Sequence, residues 1–150
     1  MNTIRIQTDP FDVRSECDGL AKIGGSVGAL VTFTGQVRGD GGLISLSLEH
    51  YPGMTECEIA RHVDEAEARW PLLGVTVIHR VGRLVPGDGI VFVGVASAHR
   101  KAAFAAAEFL MDYLKTRAPL WKQEERANGT EWVDAKGADD QAAARWGTKD

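Results

Sequence analysis

The strongest constraint on this chain is one continuous stretch in its second half. An apolar run, Ile90-Val91-Phe92-Val93-Gly94-Val95-Ala96, feeds His99-Arg100 and then an alanine-rich segment that ends near Pro119. The run is short and β-rich. After it, apolar residues recur at helical spacing, at Ala103, Ala107, Leu110 and Leu114, with Phe104 and Met111 beside them. A strand that turns directly into an amphipathic helix must lay that helix back on its own sheet, with this stripe as the contact. The helix is predicted over roughly 100–117, because Pro119 disfavours the helical conformation at Ala118.

The rest of the chain supplies further strands and helices. Thr3 to Thr8 alternates as a strand, and Asp9-Pro10-Phe11-Asp12 has helix-start chemistry for a first helix over Val13 to Ile23, closed by Gly24-Gly25. Gly28 to Val37 and Leu43 to Tyr51 read as strands expected to pair across Arg38 and the loop Gly39-Asp40-Gly41-Gly42. Thr55 and Glu58 have capping-box spacing for a helix that runs to Trp70, before Pro71. Gly74 to Val81 and Ile90 to Ala96 flank a turn at Pro86-Gly87-Asp88-Gly89, and Glu131-Trp132-Val133 is a last short strand. The tail from Ala138 is polar and alanine-rich. With no internal repeat or linker, residues 1–150 are expected to form a single α+β domain.

Charge narrows the function. A net charge of -4 at pH 7 argues against broad binding to nucleic acid or anionic membrane, so any cationic site must be local. No apolar run approaches the ~20 residues a spanning helix needs, and Met1 to Ile6 has no signal-peptide character, so a cytoplasmic chain is expected. Cys17 and Cys57 form no C-x-x-C pair, and His50, His62, His79 and His99 show no H-E-x-x-H spacing, so no metal site is expected. Neither a G-x-S-x-G elbow nor a Walker loop is present.

The remaining candidates are cations. His99 and Arg100 stand where free N–H groups and the helix dipole favour an anion. Arg38 follows a strand and precedes a glycine loop, where functional side chains often sit. Lys115 lies in the last helical turn, and Leu120-Trp121 can anchor the exit and bring Lys122 back alongside it. Each has an ordinary alternative as a solvated surface charge. His79-Arg80 reads as sheet packing or a subunit contact, and Glu49-His50-Tyr51 as structural or interface groups, since neighbouring strand residues point to opposite faces.

Several blocks resemble the large, catalytic subunit of molybdopterin synthase. They are Phe33-Thr34-Gly35-Gln36-Val37-Arg38, Leu48-Glu49-His50-Tyr51-Pro52-Gly53-Met54, His79-Arg80-Val81-Gly82, Gly87-Asp88, Ala98-His99-Arg100, Ala103-Phe104, Asp112-Tyr113-Leu114-Lys115 and Pro119-Leu120-Trp121-Lys122-Gln123-Glu124. They cover nearly the whole chain in the family's order. The resemblance implies an α/β hammerhead-type fold with additional antiparallel β structure. It also implies a homodimer at the core of a heterotetramer, each subunit docking a small ubiquitin-like sulfur carrier with a C-terminal Gly-Gly thiocarboxylate. The implied reaction moves two sulfurs onto cyclic pyranopterin monophosphate, making the molybdopterin dithiolene without metal or organic cofactor.

Carried onto this sequence, the resemblance makes Lys115 and Lys122 catalytic. Gln36, Val37, Arg38, His99, Arg100, Gln123 and Glu124 join them in binding substrate, with Met111 and Lys136 as further contacts. Lys136 stands where an arginine is common, which keeps the charge but loses bidentate phosphate geometry. Crowding by other cations is expected to lower the Lys115 pKa and make a neutral amine accessible near pH 7. The alternative is a non-catalytic module that binds a ubiquitin-like protein or a phosphorylated ligand.

Overall fold

A computed structural model describes residues 1–133, 141 and 144–146. The elements in chain order are β1 (Asn2–Gln7), α1 (Val13–Ala21), β2 (Ala29–Gln36), a 3-10 turn (Asp40–Gly42), β3 (Ser45–His50), α2 (Met54–Arg69), β4 (Gly74–Arg80), β5 (Gly82–Leu84), β6 (Gly89–Ser97), α3 (Arg100–Thr116), β7 (Leu120–Arg126) and β8 (Gly129–Val133). The α+β class is as expected. The strands form two four-stranded sheets, one ordered β1-β4-β6-β2 and the other β5-β3-β7-β8. Among the described residues only β1 and β4 pair in parallel.

The larger sheet is the middle of three layers. Strand β6 is buried on both faces, which explains its unbroken apolar run. On one face, Val75, Val77, Val91, Val93 and Val95 meet Ile59 and Val63 of α2 and Ala103, Ala107, Leu110 and Leu114 of α3. On the other, Ile78, Phe92 and Ala96 meet Leu20 of α1. The predicted α3 stripe is therefore the buried one, with one exception. Phe104 does not face the sheet: it is 61% exposed, because its position rotates onto the solvent side of the helix. Gly28 lies so close to the Ala98 carbonyl that a Cβ there would collide with backbone, which fixes where α3 begins.

The expected pairing of β2 with β3 does not occur. β2 pairs with β6 from Ala29↔Ser97 to Gln36↔Gly89, whereas β3 pairs with β5 and β7 in the second sheet. The Val37 N–H donates to the Asp88 carbonyl and the Val37 carbonyl accepts from the Gly87 N–H, so the chain leaving β2 is held by the turn before β6. Gly41 and Gly42, at φ of 64° and 73°, then steer it across to the other sheet.

The start of α2 also differs from expectation. Gly53, at φ 86°, is the cap residue, and its N–H donates to the Glu56 carboxylate at 2.8 Å. Glu58 instead takes Arg61 at 2.7 Å. Thr55 is fully buried, and its hydroxyl accepts from the Tyr51 N–H and donates to the Pro119 carbonyl, each at 2.9 Å. A residue expected to cap a helix is thus a tie between two distant turns. Of the tail from Ala138, Gln141 and residues 144–146 are described. Trp146 packs edge-on against Trp70 and Phe109 and donates to Asp112 at 2.6 Å.

Candidate active site

Strand β6 and helix α3 set the geometry. The helix follows the strand almost immediately and runs back over it, so its first turn lies at the Ser97 end and its last turn over Val91. β2 and β4 align with β6 so that Gln36, Arg38 and His79 also fall at the Val91 end, while Ala29 falls at the Ser97 end. The predicted cations thereby divide. Arg38, Lys115 and, through the turn into β7, Lys122 share one end of the larger sheet. His99 and Arg100 occupy the other.

At the first end, Lys115 is exposed at the last turn of α3. At the same end of the sheet is His79, 7% exposed and paired in register with Val91. By strand alternation His79 shares its face with Val77 and Val75, the face that α3 covers. Its Nδ1–H donates to the Arg80 carbonyl at 2.9 Å, which leaves Nε2 with the lone pair. Burial above all, with the charges of Lys115 and His50 adding to it, pushes the imidazole down to about 4 and keeps it neutral at physiological pH. His50 ends β3 opposite Leu120, and its Nε2 lies 4.0 Å from the Glu56 carboxylate. Sequence reading placed His79 in the right strand, but its parity with Val75 and Val77 was the signal that it faces α3.

In β7, Lys122 pairs with Leu48 and Glu124 with Leu46. Those leucines are buried in the small sheet's own core with Val37, Val81 and Leu84, so Lys122 and Glu124 emerge on the inward face. Gln123 lies on the opposite face, beside Ser47 and Trp132. Glu124 holds Arg126 at 2.8 Å, and Arg126 in turn donates to the Gly41 carbonyl at 3.1 Å. Arg38 is exposed, 3.7 Å from Asp40. Val37 is buried with both backbone groups already hydrogen-bonded, and Gln36 sits at the slip in the β2–β6 register.

At the far end, His99 is the N-cap residue of α3, its N–H donating to the Ser97 hydroxyl at 3.2 Å. No acidic residue stands in the first helical turn, so the dipole and Arg100 act together on any anion there. From Arg100 an open groove of about 670 Å³ runs along α3 past Phe104 to Met111, with Phe33 of β2 as its other wall. Met111 thus connects the two ends. Arg100 and Lys115 are fifteen residues apart on one straight helix, about 22 Å at 1.5 Å per residue. A single copy therefore does not gather all the predicted cations into one pocket. Lys136 lies outside the described residues. Among the described residues no cluster of His, Cys, Asp and Glu is placed to hold a metal ion, and no helix is long and apolar enough to cross a membrane.

The profile of the MoaE protein family matches residues 6–117. A protein of Mesorhizobium japonicum named molybdopterin synthase catalytic subunit is 57% identical over 147 residues, which cover 96% of this chain and 92% of that protein. The solved structure of the molybdopterin biosynthesis MoaE protein from Burkholderia ambifaria is 50% identical and superposes with a TM-score of 0.86, covering 99% of this chain and 100% of that one. A Helicobacter pylori structure, described as a protein–protein complex of subunits 1 and 2 of molybdopterin-converting factor, shares the fold. It superposes with a TM-score of 0.74 at 20% identity over 89% of this chain and 90% of that one.

Proposed function

The chain belongs to the MoaE protein family and is the catalytic subunit of a molybdopterin synthase; from that premise we propose how its residues divide the work. The substrate is cyclic pyranopterin monophosphate, and the sulfur arrives as the thiocarboxylate at the Gly-Gly end of a small ubiquitin-like carrier. The Lys115 ammonium meets that terminus, offsetting negative charge on the sulfur as it bonds to the pterin, and then on the acyl oxygen as water adds to the acyl carbon, the carbon–sulfur bond breaks and the carrier leaves as its carboxylate. Lys122 and Glu124, on the inward face of the small sheet, line the approach, and Arg38 holds anionic substrate at the same end.

His99 and Arg100 reach the same substrate from a second copy of the chain. The separation of about 22 Å along α3 requires this if both cation sets act on one small molecule. The exposed groove walled by Phe33, Phe104 and Met111 is the surface on which that copy packs. Two such chains with two carriers make the heterotetramer, working in the cytoplasm without metal or organic cofactor.

One observation carries this reading: Lys115 and Arg38 share the end of the sheet where the chain turns back into the Lys122 strand. Lys115→Ala should abolish dithiolene formation from precursor and thiocarboxylated carrier, read by mass spectrometry in a single turnover, with the fold intact by circular dichroism. Near-normal turnover would remove the lysine from the mechanism and favour a module that only binds the carrier. Capture of the carrier alone does not separate the two, since both bind it.

A further inference from the structure

The loop from Arg38 to Leu43 lies between two stretches that backbone hydrogen bonds hold. At its start, Val37 exchanges hydrogen bonds with Asp88 and Gly87, and at its end the Ile44 N–H donates to the Glu125 carbonyl at 2.8 Å. Between these ties Gly41 and Gly42, both at positive φ, leave the backbone conformationally permissive. The Leu43 N–H closes the turn on the Asp40 carbonyl at 3.3 Å.

Arg126 reaches this turn from the smaller sheet. It is the last residue of β7, one past the Ser45↔Glu125 pair that ends the ladder with β3. Its guanidinium sets three nitrogens on three oxygens. Nε donates to the Gly41 carbonyl at 3.1 Å, Nη2 to the Asp40 carbonyl at 3.4 Å and Nη1 to the Glu124 carboxylate at 2.8 Å. Glu124 is itself paired on both sides, with Leu46 and Glu131, so it is the fixed partner. Its carboxylate offsets the guanidinium charge and aims the remaining edge at the loop. Arg38 is held more loosely. Its Nε is 3.7 Å from the Asp40 carboxylate, too long for a hydrogen bond, and both side chains are exposed. An anion can displace that contact.

We propose that Arg126 is a positioning residue for substrate binding: it fixes the carbonyls of Asp40 and Gly41, and through Asp40 the bearing of Arg38. The inference rests on the reading of Arg38 as a group that holds anionic substrate. Arg126 does not itself meet the substrate, since Glu124 takes up its charge. What it supplies is a planar fork that spans two successive carbonyls. A lysine at residue 126 would carry the same charge without that fork.

Amide hydrogen exchange, resolved by NMR in the full chain, reads the loop directly. Arg126→Ala should speed exchange at Leu43 about tenfold, because the carbonyl that Leu43 uses loses its second donor. Val37 and Ile44, tied by backbone, should stay within about twofold. In the reconstituted synthase Arg126→Ala should raise KM for cyclic pyranopterin monophosphate about tenfold, with kcat within about twofold. Arg126→Lys should restore less than half of either loss, and its ion pair with Glu124 keeps the test open should alanine unfold the hairpin. Added to Arg38→Ala, Arg126→Ala should raise KM by less than about twofold more, because the group it positions is already gone.

The proposal is overturned if Leu43 exchanges in Arg126→Ala as in wild type, if Arg126→Lys restores KM in full, or if the effects of the two alanine substitutions multiply. The reading of Arg38 fails separately. If Arg38→Ala alone leaves KM unchanged, that reading falls and takes the positioning role with it. If Arg38→Ala raises KM and Arg126→Ala does not, the reading stands and only the role of Arg126 falls.

Discussion

A neutral imidazole in a protein core has a cost that depends on pH. In the unfolded chain His79 takes up a proton near its ordinary value of 6.5, whereas in the fold it does so only at about 4. Its folded value is depressed, so its contribution to stability is complete above pH 6.5 and is lost as pH falls from there through about 4. The difference corresponds to about 3 kcal/mol. His62, pushed down chiefly by burial and stacked on Tyr113 at 3.4 Å between ring centroids, adds a loss of the same sign. Chemical denaturation at pH 7 and pH 4.5 should show the loss, and His79→Gln should flatten the difference. A slope unchanged in that variant would place the acid sensitivity elsewhere. The candidate cations could be named from sequence because charge next to a helix end or a proline is visible there. His79 could not be given its surroundings, because the lysine that acts on it is thirty-six residues away along the chain.

At the scale of elements, most of the described strands and the helices α1, α2 and α3 were legible from periodicity, within a few residues at their ends. Two strands escaped. β5 is only three residues long, and β7 reads Leu-Trp-Lys-Gln-Glu-Glu-Arg, too polar to announce a strand. What stabilises β7 is pairing on both sides, with β3 and with β8 across a two-residue turn at Ala127-Asn128. The Asn128-Gly129 pair was the available signal for that hairpin. The tie that holds the start of β7 was hidden in a false capping motif. Thr55→Val keeps the shape but leaves the Tyr51 N–H and the Pro119 carbonyl unpaired, which should cost roughly 2–3 kcal/mol. Thermal melting should fall by about 4–10 °C, and activity should fall with it because the turn between Lys115 and Lys122 loosens. An unchanged melting temperature would mean the hydroxyl is no tie.

For the whole molecule, the decisive quantity is the length of α3. If Lys115 of one copy and Arg100 of another serve one substrate, then Lys115→Ala and Arg100→Ala should each be inactive alone. Mixed in equal amounts and allowed to exchange subunits, they should recover about a quarter of wild-type turnover, since half the dimers are mixed and each holds one intact site. No recovery, with exchange confirmed by native mass spectrometry, would return both cation sets to a single chain. Pairing of strands between distant segments was the least legible feature. The alternation of Leu43 to Tyr51 identifies a strand but contains nothing to choose β7 over β2 as its neighbour.

The order β5-β3-β7-β8 carries a consequence for biosynthesis. On the ribosome, the larger sheet has all four of its strands once residue 97 has emerged, whereas the smaller one then holds only β3 and β5. Until the last third of the chain is translated, β3 offers an unpaired edge, and the Lys122 strand does not yet exist. A nascent chain stalled before residue 120 would therefore be half folded and prone to self-association, with the strand that bears Lys122 still to be made.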